Sequence, residues 1–239
     1  DSTLTIAANG TLSAPRGDLT VDGTFDNDGT DPTTSYIHNN GRYYSTPSGK
    51  FPSVTTVTGF KKAKFFAKWR AENPKEAKRV TSRGNIFHSL IEDYLNNEFE
   101  VQRDKDKVRP DILELFLQLQ PELDKIDNIL ALEVPLWSES IGLAGRVDCI
   151  AEHNGELSII DFKGATRSKR RSDIENYFLQ ATAYALMWQD KTGQELDKFK
   201  ILISAEDGEA QVFEDRPIHY TKKLYETIEE YKESLGLFA

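Results

Sequence analysis

The sequence predicts an α/β protein with a central sheet between helices, and three observations carry that expectation. From Phe51 onward, helical and strand patterns alternate along the chain. Two apolar runs, GRVDCIAEH and ELSIIDFK, flank Asn154-Gly155, the strongest short-range signal for a two-residue hairpin. The chain has 239 residues, 38% hydrophobic and 29% charged, which suits one domain of good size with a small appendage.

The elements follow in order. Residues 1–50 form the appendage, β-rich or irregular, because Gly, Asp, Thr and Asn interrupt short alternating pieces such as Leu4, Ile6 and Leu19, Val21. Asn9-Gly10-Thr11-Leu12 and Asp22-Gly23-Thr24-Phe25 hint at a degenerate turn-strand repeat; a disordered arm or an unrelated fused segment fits the composition too. Residues 51–239 form the main domain. FKKAKFFAKWRAEN (60–73) is helical and basic, with Pro74 stopping it. The next run places Phe87, Ile91 and Leu95 at helical spacing, with His88 and Glu92 paired on a neighbouring stripe. A helix fits 110–119, then strands at 129–137, 143–152 and 156–163, a helix at 173–190, strands at 197–204 and 210–214, and a closing helix at 221–235.

Composition narrows the function. No apolar run approaches the roughly 20 residues that span a bilayer, which predicts a soluble protein without a membrane partner. Residue 1 is Asp rather than Met, so any leader is expected to have been removed or to lie outside this sequence. Cys149 is the single cysteine, which excludes an intramolecular disulfide and fits a reducing compartment. The net charge of -9 gives no general attraction to polyanions, so nucleic-acid binding needs local basic patches or metal ions.

The hairpin raises the chemical question. A type I′ turn at Asn154-Gly155 makes His153 face Glu156, and counting outward puts Asp148 opposite Asp161 and Arg146 opposite Lys163. Opposed residues have Cβ atoms roughly 4.5 to 5.5 Å apart, so the two carboxylates repel unless a cation lies between them. Mg²⁺ or Mn²⁺ is the natural occupant, with Lys163 beside it. A solvated hairpin face, with Asp148 paired to Arg146 or Asp161 to Lys163, is the plainer alternative. Ile159 and Ile160 on adjoining faces favour burial on both sides.

Asp148 and Asp161-Phe162-Lys163 resemble the signature of the PD-(D/E)XK nuclease superfamily. Gly145-Arg146-Val147-Asp148, the Gln180 and Tyr184 of YFLQATAYALMW, and His88 of GNIFHSLIEDYL match its RecB-like branch, although Val147 stands where that branch usually has Pro. Residues 50 to 239 resemble exonucleases of tailed phages related to the mitochondrial genome maintenance exonuclease; residues 1–50 do not belong to the resemblance. It implies a restriction-endonuclease-like central mixed sheet flanked by helices. It also implies Mg²⁺- or Mn²⁺-dependent hydrolysis of DNA, with single-stranded ends preferred. Phage replication or recombination proteins are the implied partners, and the host cytoplasm the implied location. Relatives with an iron-sulphur cluster need several cysteines, so no cluster is expected.

The resemblance assigns Asp148, Asp161 and His88 to the metal, with the Phe162 carbonyl as a further ligand, and Lys163 to the reacting water and phosphate. Glu133 is either another ligand or a half-buried ion-pair partner. Glu92 either orients His88 or sits in solvent. Gln180 and Tyr184, one helical turn apart, would hydrogen-bond a phosphate or the site lysine. Lys61, Lys68, Trp69 and Arg70, then Arg83, Arg146, Arg167, Lys169 and Arg170, supply a basic surface with aromatics for a nucleic acid; a solvated face is the alternative. Ser53, Thr55 and Thr56 are phosphate donors or helix-capping residues. An endonuclease of the same superfamily and a non-catalytic nucleic-acid-binding virion module stand as alternative functions.

Overall fold

The computed structural model describes residues 35–38 and 41–236, so the turn-strand hints at residues 9–12 and 22–25 lie outside the described residues. Three short antiparallel strands open it: β1 (Ser35–His38), β2 (Gly41–Thr46) and β3 (Gly49–Pro52). The expected division at residue 50 falls inside β3, and this small sheet packs against the main one. Tyr44 is buried, and the Tyr43 and Tyr231 hydroxyls share a 3.0 Å hydrogen bond.

Helix α1 (Val54–Glu72) begins six residues before the predicted start at Phe60, because Ser53 caps it: its Oγ accepts the Thr56 N–H at 3.0 Å. Pro74 begins α2 (Pro74–Leu95), where its missing N–H costs no helical bond. A single turn, α3 (Val101–Asp104), leads to α4 (Pro110–Leu123). The main sheet then forms from β4 (Ile126–Ser138), β5 (Leu143–His153), β6 (Glu156–Ala165), β7 (Phe199–Ala205) and β8 (Gln211–Asp215). Helix α5 (Glu175–Thr192) carries the chain from β6 to β7, and α6 (Thr221–Ser234) follows β8.

The five strands lie in sequence order; β6 and β7 are parallel and the other neighbours antiparallel, so the sheet is mixed as expected. Each face carries its own core. Val147, Ile159, Ile201 and Ile203 pack against α1, α5 and α6, while Cys149, Ile160, Phe162 and Leu202 pack against α2 and α4. Every residue of β7 is buried, because a strand inside the sheet is covered on both faces. Asn154 and Gly155 have φ of 56° and 75°, the left-handed pair that a type I′ turn requires.

Candidate active site

The site begins where strand pairing stops. β5 and β6 pair from His153 opposite Glu156 to Cys149 opposite Ile160, in the register the turn dictates, and pairing ends one row short of Asp148 and Asp161. There the Phe162 N–H donates to Asp148 Oδ2 at 2.9 Å, a side-chain acceptor taking the place of a main-chain one. On the other side of β5, Leu132 pairs with Cys149 and Val134 with Val147, so Glu133 stands in the row of Asp148. Glu133 has φ of 53°, a left-handed backbone that costs a residue with a Cβ about 1–2 kcal/mol.

The strands change faces at this row. Cys149 packs into one core and Val147 into the other; Leu132 and Val134 divide in the same way. Residues two apart in a regular strand share a face, so Glu133 and Asp148 mark a local inversion at the seam between the cores. That inversion lets mid-strand carboxylates avoid both apolar layers.

His88 reaches this seam from α2. Its Nδ1 lies 3.7 Å from Glu133 Oε1 and 3.7 Å from Asp148 Oδ2. Burial works against charge on the imidazole, but Asp148 and Glu133 outweigh it and raise its pKa. One ligand atom from each of His88, Glu133 and Asp148 lies within 4.8 Å of the others, so one nitrogen and two carboxylates converge with the donor chemistry of a divalent-cation site.

Asp161 faces another group. It is 1% exposed, and its Oδ1 accepts from Lys163 Nζ at 2.7 Å and from Gln180 Nε2 at 2.9 Å. Its Oδ2 lies 2.7 Å from the same ammonium yet takes no hydrogen bond, leaving a buried acceptor available to a ligand. Burial pushes the Asp161 carboxyl up, opposed by Lys163. Burial also opposes the charge on Lys163, but Asp161 and Asp148 prevail and hold its pKa above the ordinary lysine value. Asp148 caps the Phe162 N–H while Asp161 binds Lys163, so the two carboxylates expected to share one ion have different hydrogen-bond partners. The Phe162 ring is buried in the core with Ile160 and Leu202, which leaves only its main chain to serve the site.

Helix α5 supplies the second support. Gln180 is directed to Asp161, not to the lysine or outward to a phosphate. Tyr184 is buried, and its hydroxyl occupies the space above Gly145, where a Cβ would come within 2.7 Å. Tyr177, which the sequence did not single out, lies with its ring 5.3 Å from Lys163 Nζ; its signal was its place one helical turn before Gln180. Glu92 is half-buried and makes no hydrogen bond to His88; burial and Glu133 raise its pKa.

The expected nucleic-acid surface divides. Arg83 is 1% exposed and ion-paired with Glu206, which also accepts from Arg79 at 2.7 Å, so Arg83 is an internal cation and not a surface contact. Ser53 is buried as the α1 cap, and Thr56 Oγ1 accepts the Arg42 N–H at 3.0 Å, so both hydroxyls are engaged within the protein. Lys61 pairs with Glu230 on α6 at 2.5 Å. Thr55, Lys68, Arg70, Arg146, Arg167 and Arg170 are exposed, and Trp69 and Lys169 half-buried. Lys68 lies 3.8 Å from Glu72, and Arg170 holds Asp173. Phe65 and Phe66 extend the surface: they are 67% and 44% exposed on α1, between Lys64 and Lys68.

Comparison with known proteins follows the same lines. A family model of the PD-(D/E)XK nuclease superfamily matches residues 108–235, which include Asp148, Asp161, Lys163, Gln180 and Tyr184. The chain is 31% identical over 109 residues to mitochondrial genome maintenance exonuclease 1 of Homo sapiens and 30% identical over 108 residues to that of Mus musculus. Each match takes in 44% of this chain and 30% of the relative, so the chain spans under a third of the length of these curated relatives. A crystal structure of a protein named "Putative exonuclease" from Eubacterium rectale aligns over 66% of this chain and 69% of that one, with a TM-score of 0.39 and 14% identity.

Proposed function

Because the chain belongs to the PD-(D/E)XK nuclease superfamily, we propose that it is a divalent-metal-dependent DNA exonuclease that hydrolyses phosphodiester bonds and favours single-stranded ends. The observation that carries this reading is the approach of His88, Glu133 and Asp148 within 4.8 Å of one another, beside a buried Asp161–Lys163 pair. The exonuclease activity named for the human and mouse relatives supports the exonuclease part. The resemblance to tailed-phage enzymes supports a role in phage DNA replication, recombination or degradation within the host cytoplasm. Among the described residues no helix is long and apolar enough to cross a membrane.

His88, Glu133 and Asp148 would hold the cation, with Asp161 Oδ2 as the acceptor beside them. A bound Mg²⁺ or Mn²⁺ supplies Lewis-acid charge at the scissile phosphate. Lys163, held protonated, is unsuited to act as a base; it donates to a phosphate oxygen and stabilises the charge that develops there. Asp161 fixes the direction of that ammonium, and Gln180 fixes Asp161. Lys68, Arg70, Trp69, Phe65 and Phe66 on α1 combine cations and rings, the two features that let a surface follow a single strand without reading its sequence.

The test is time-resolved cleavage of a labelled linear single strand beside a closed circular one, with Mg²⁺, Mn²⁺ or chelator, for wild type and Lys163→Ala. Metal-dependent loss of the linear strand alone, absent in Lys163→Ala, is the expected result. Cutting of the circle would move the assignment to an endonuclease, and no cutting by the wild type would replace it with a binding module.

A further inference from the structure

Resting on the nuclease reading above, we propose that Tyr177 positions Lys163 for the phosphate, its ring holding the ammonium by a cation–π contact that leaves N–H donors free for substrate. The observation is the ring centroid 5.3 Å from Lys163 Nζ, inside the range of about 6 Å over which a ring attracts a cation.

The contact answers a problem that Asp161 creates. The Asp161 carboxylate lies 2.7 Å from Lys163 through both oxygens, so it is the ammonium's strongest partner. The same carboxylate stands one residue beyond the last paired row, in the row of Asp148 of the candidate cation site, and its Oδ2 takes no hydrogen bond. Whatever charge Asp161 gives to a cation weakens its hold on Lys163. A ring face offers no carboxylate oxygen to that cation and takes no conventional hydrogen bond from the ammonium. Lys163 can therefore keep its place while Asp161 serves a second partner.

The placement of Tyr177 fits this part. It occupies the first turn of α5, with its N–H donating to Ile174 O at 2.8 Å, and it precedes Gln180 by three residues. Tyr177 and Gln180 therefore present neighbouring side chains of one helix face to Lys163 and Asp161, one holding each member of the pair. Lys62 of α1 reaches the same turn, donating to Asp173 O at 3.2 Å and to Asn176 Oδ1 at 3.4 Å. The turn that carries Tyr177 is thus tied to the basic, aromatic helix proposed to carry the nucleic acid.

The ring, not the hydroxyl, is the acting part, which gives the test its form. In the metal-free full-length protein, the Lys163 side-chain Hε resonance, assigned by its loss in Lys163→Ala, is expected at a ring-shifted position. It should stay there in Tyr177→Phe and move to the ordinary lysine position in Tyr177→Leu. In cleavage of a linear single strand, Tyr177→Phe should keep kcat within about twofold, and Tyr177→Leu should lower kcat roughly fivefold to tenfold with KM unchanged. Tyr177→Met, also ringless, replaces Tyr177→Leu if the latter does not fold. Wild-type kcat in the ringless variant, or equal losses in Tyr177→Phe and Tyr177→Leu, would overturn the proposal. Cleavage by Lys163→Ala would instead overturn the nuclease reading, and the resonance measurement separates the two.

Discussion

Gln180 Nε2 donates a 2.9 Å hydrogen bond to Asp161 Oδ1, joining the helix α5 to the strand β6 at the carboxylate that also binds Lys163. A 1% exposed carboxylate depends on such donors, since burial opposes its charge. The bond makes α5 part of the candidate site.

Gln180→Ala is expected to lower the single-turnover cleavage rate by roughly 10- to 100-fold while the fold persists, the usual effect of removing a group that orients a metal-site side chain. Loss of the hydrogen bond should also cost about 1–3 kcal/mol, because Asp161 stays buried. Cleavage kinetics and thermal melting measure the two effects. An unchanged rate would remove Gln180 from the site.

Glu133 combines a left-handed backbone with a place in the candidate metal cluster. Glu133→Gly should be nearly neutral for stability, because relief of about 1–2 kcal/mol of backbone strain offsets the flexibility of glycine in a strand. Glu133→Val, β-branched at positive φ, should lower stability by more than about 1 kcal/mol. Both should weaken Mn²⁺ binding, read by calorimetry. Equal melting temperatures for the two variants would contradict the strain argument.

Glu206 is the acid that neutralises buried Arg83. Glu206→Ala should destabilise the protein by about 3 kcal/mol, since it leaves an uncompensated internal cation. Lys68→Ala and Arg70→Ala, in contrast, should leave the melting temperature within about a degree. Each should make single-strand binding less sensitive to salt, flattening the logarithmic slope by roughly 0.7 for every phosphate no longer neutralised. Denaturant titration and binding at several salt concentrations distinguish the internal from the external cations.

His153 lies at the far end of the sheet, 2% exposed, with Lys200 Nζ 3.3 Å from its Nδ1 and Glu122 Oε2 3.3 Å from its Nε2. Burial and the Lys200 charge lower its pKa from 6.5. Below 6.5 the unfolded chain takes up this proton before the folded one does, so the contribution to stability is complete above about 6.5 and is lost as pH falls through the lowered folded value. Melting temperatures from pH 8 to pH 5 should therefore fall more steeply for wild type than for His153→Gln. Parallel curves would show that another group carries the acid sensitivity.

Most of the architecture could be read from local pattern. The Asn154-Gly155 turn set the hairpin register, and alternating periods located α4, α5, α6 and the main strands within a few residues. The beginning of α1 was legible only as a candidate, because Ser53, Thr55 and Thr56 suit either a cap or a phosphate until the neighbouring Arg42 N–H is seen.

The amino-acid order was enough to single out Asp148, Asp161 and Lys163, because chemical type, spacing and hairpin register are local properties of the chain; His88, Gln180 and Tyr184 stood out only through the resemblance to RecB-like nucleases. Their partners were not local. That Asp148 lies beside His88 and Glu133 depends on a face inversion across two strand pairs, which no periodicity announces. Arg83 looked like any basic residue of a charged helix until folding set Glu206, 123 positions away, against it. Tyr177 acquired its place beside Lys163 only when α5 crossed over β6. Charge, hydroxyl and ring announce what a side chain can do; packing at ångström range decides which group it does it to.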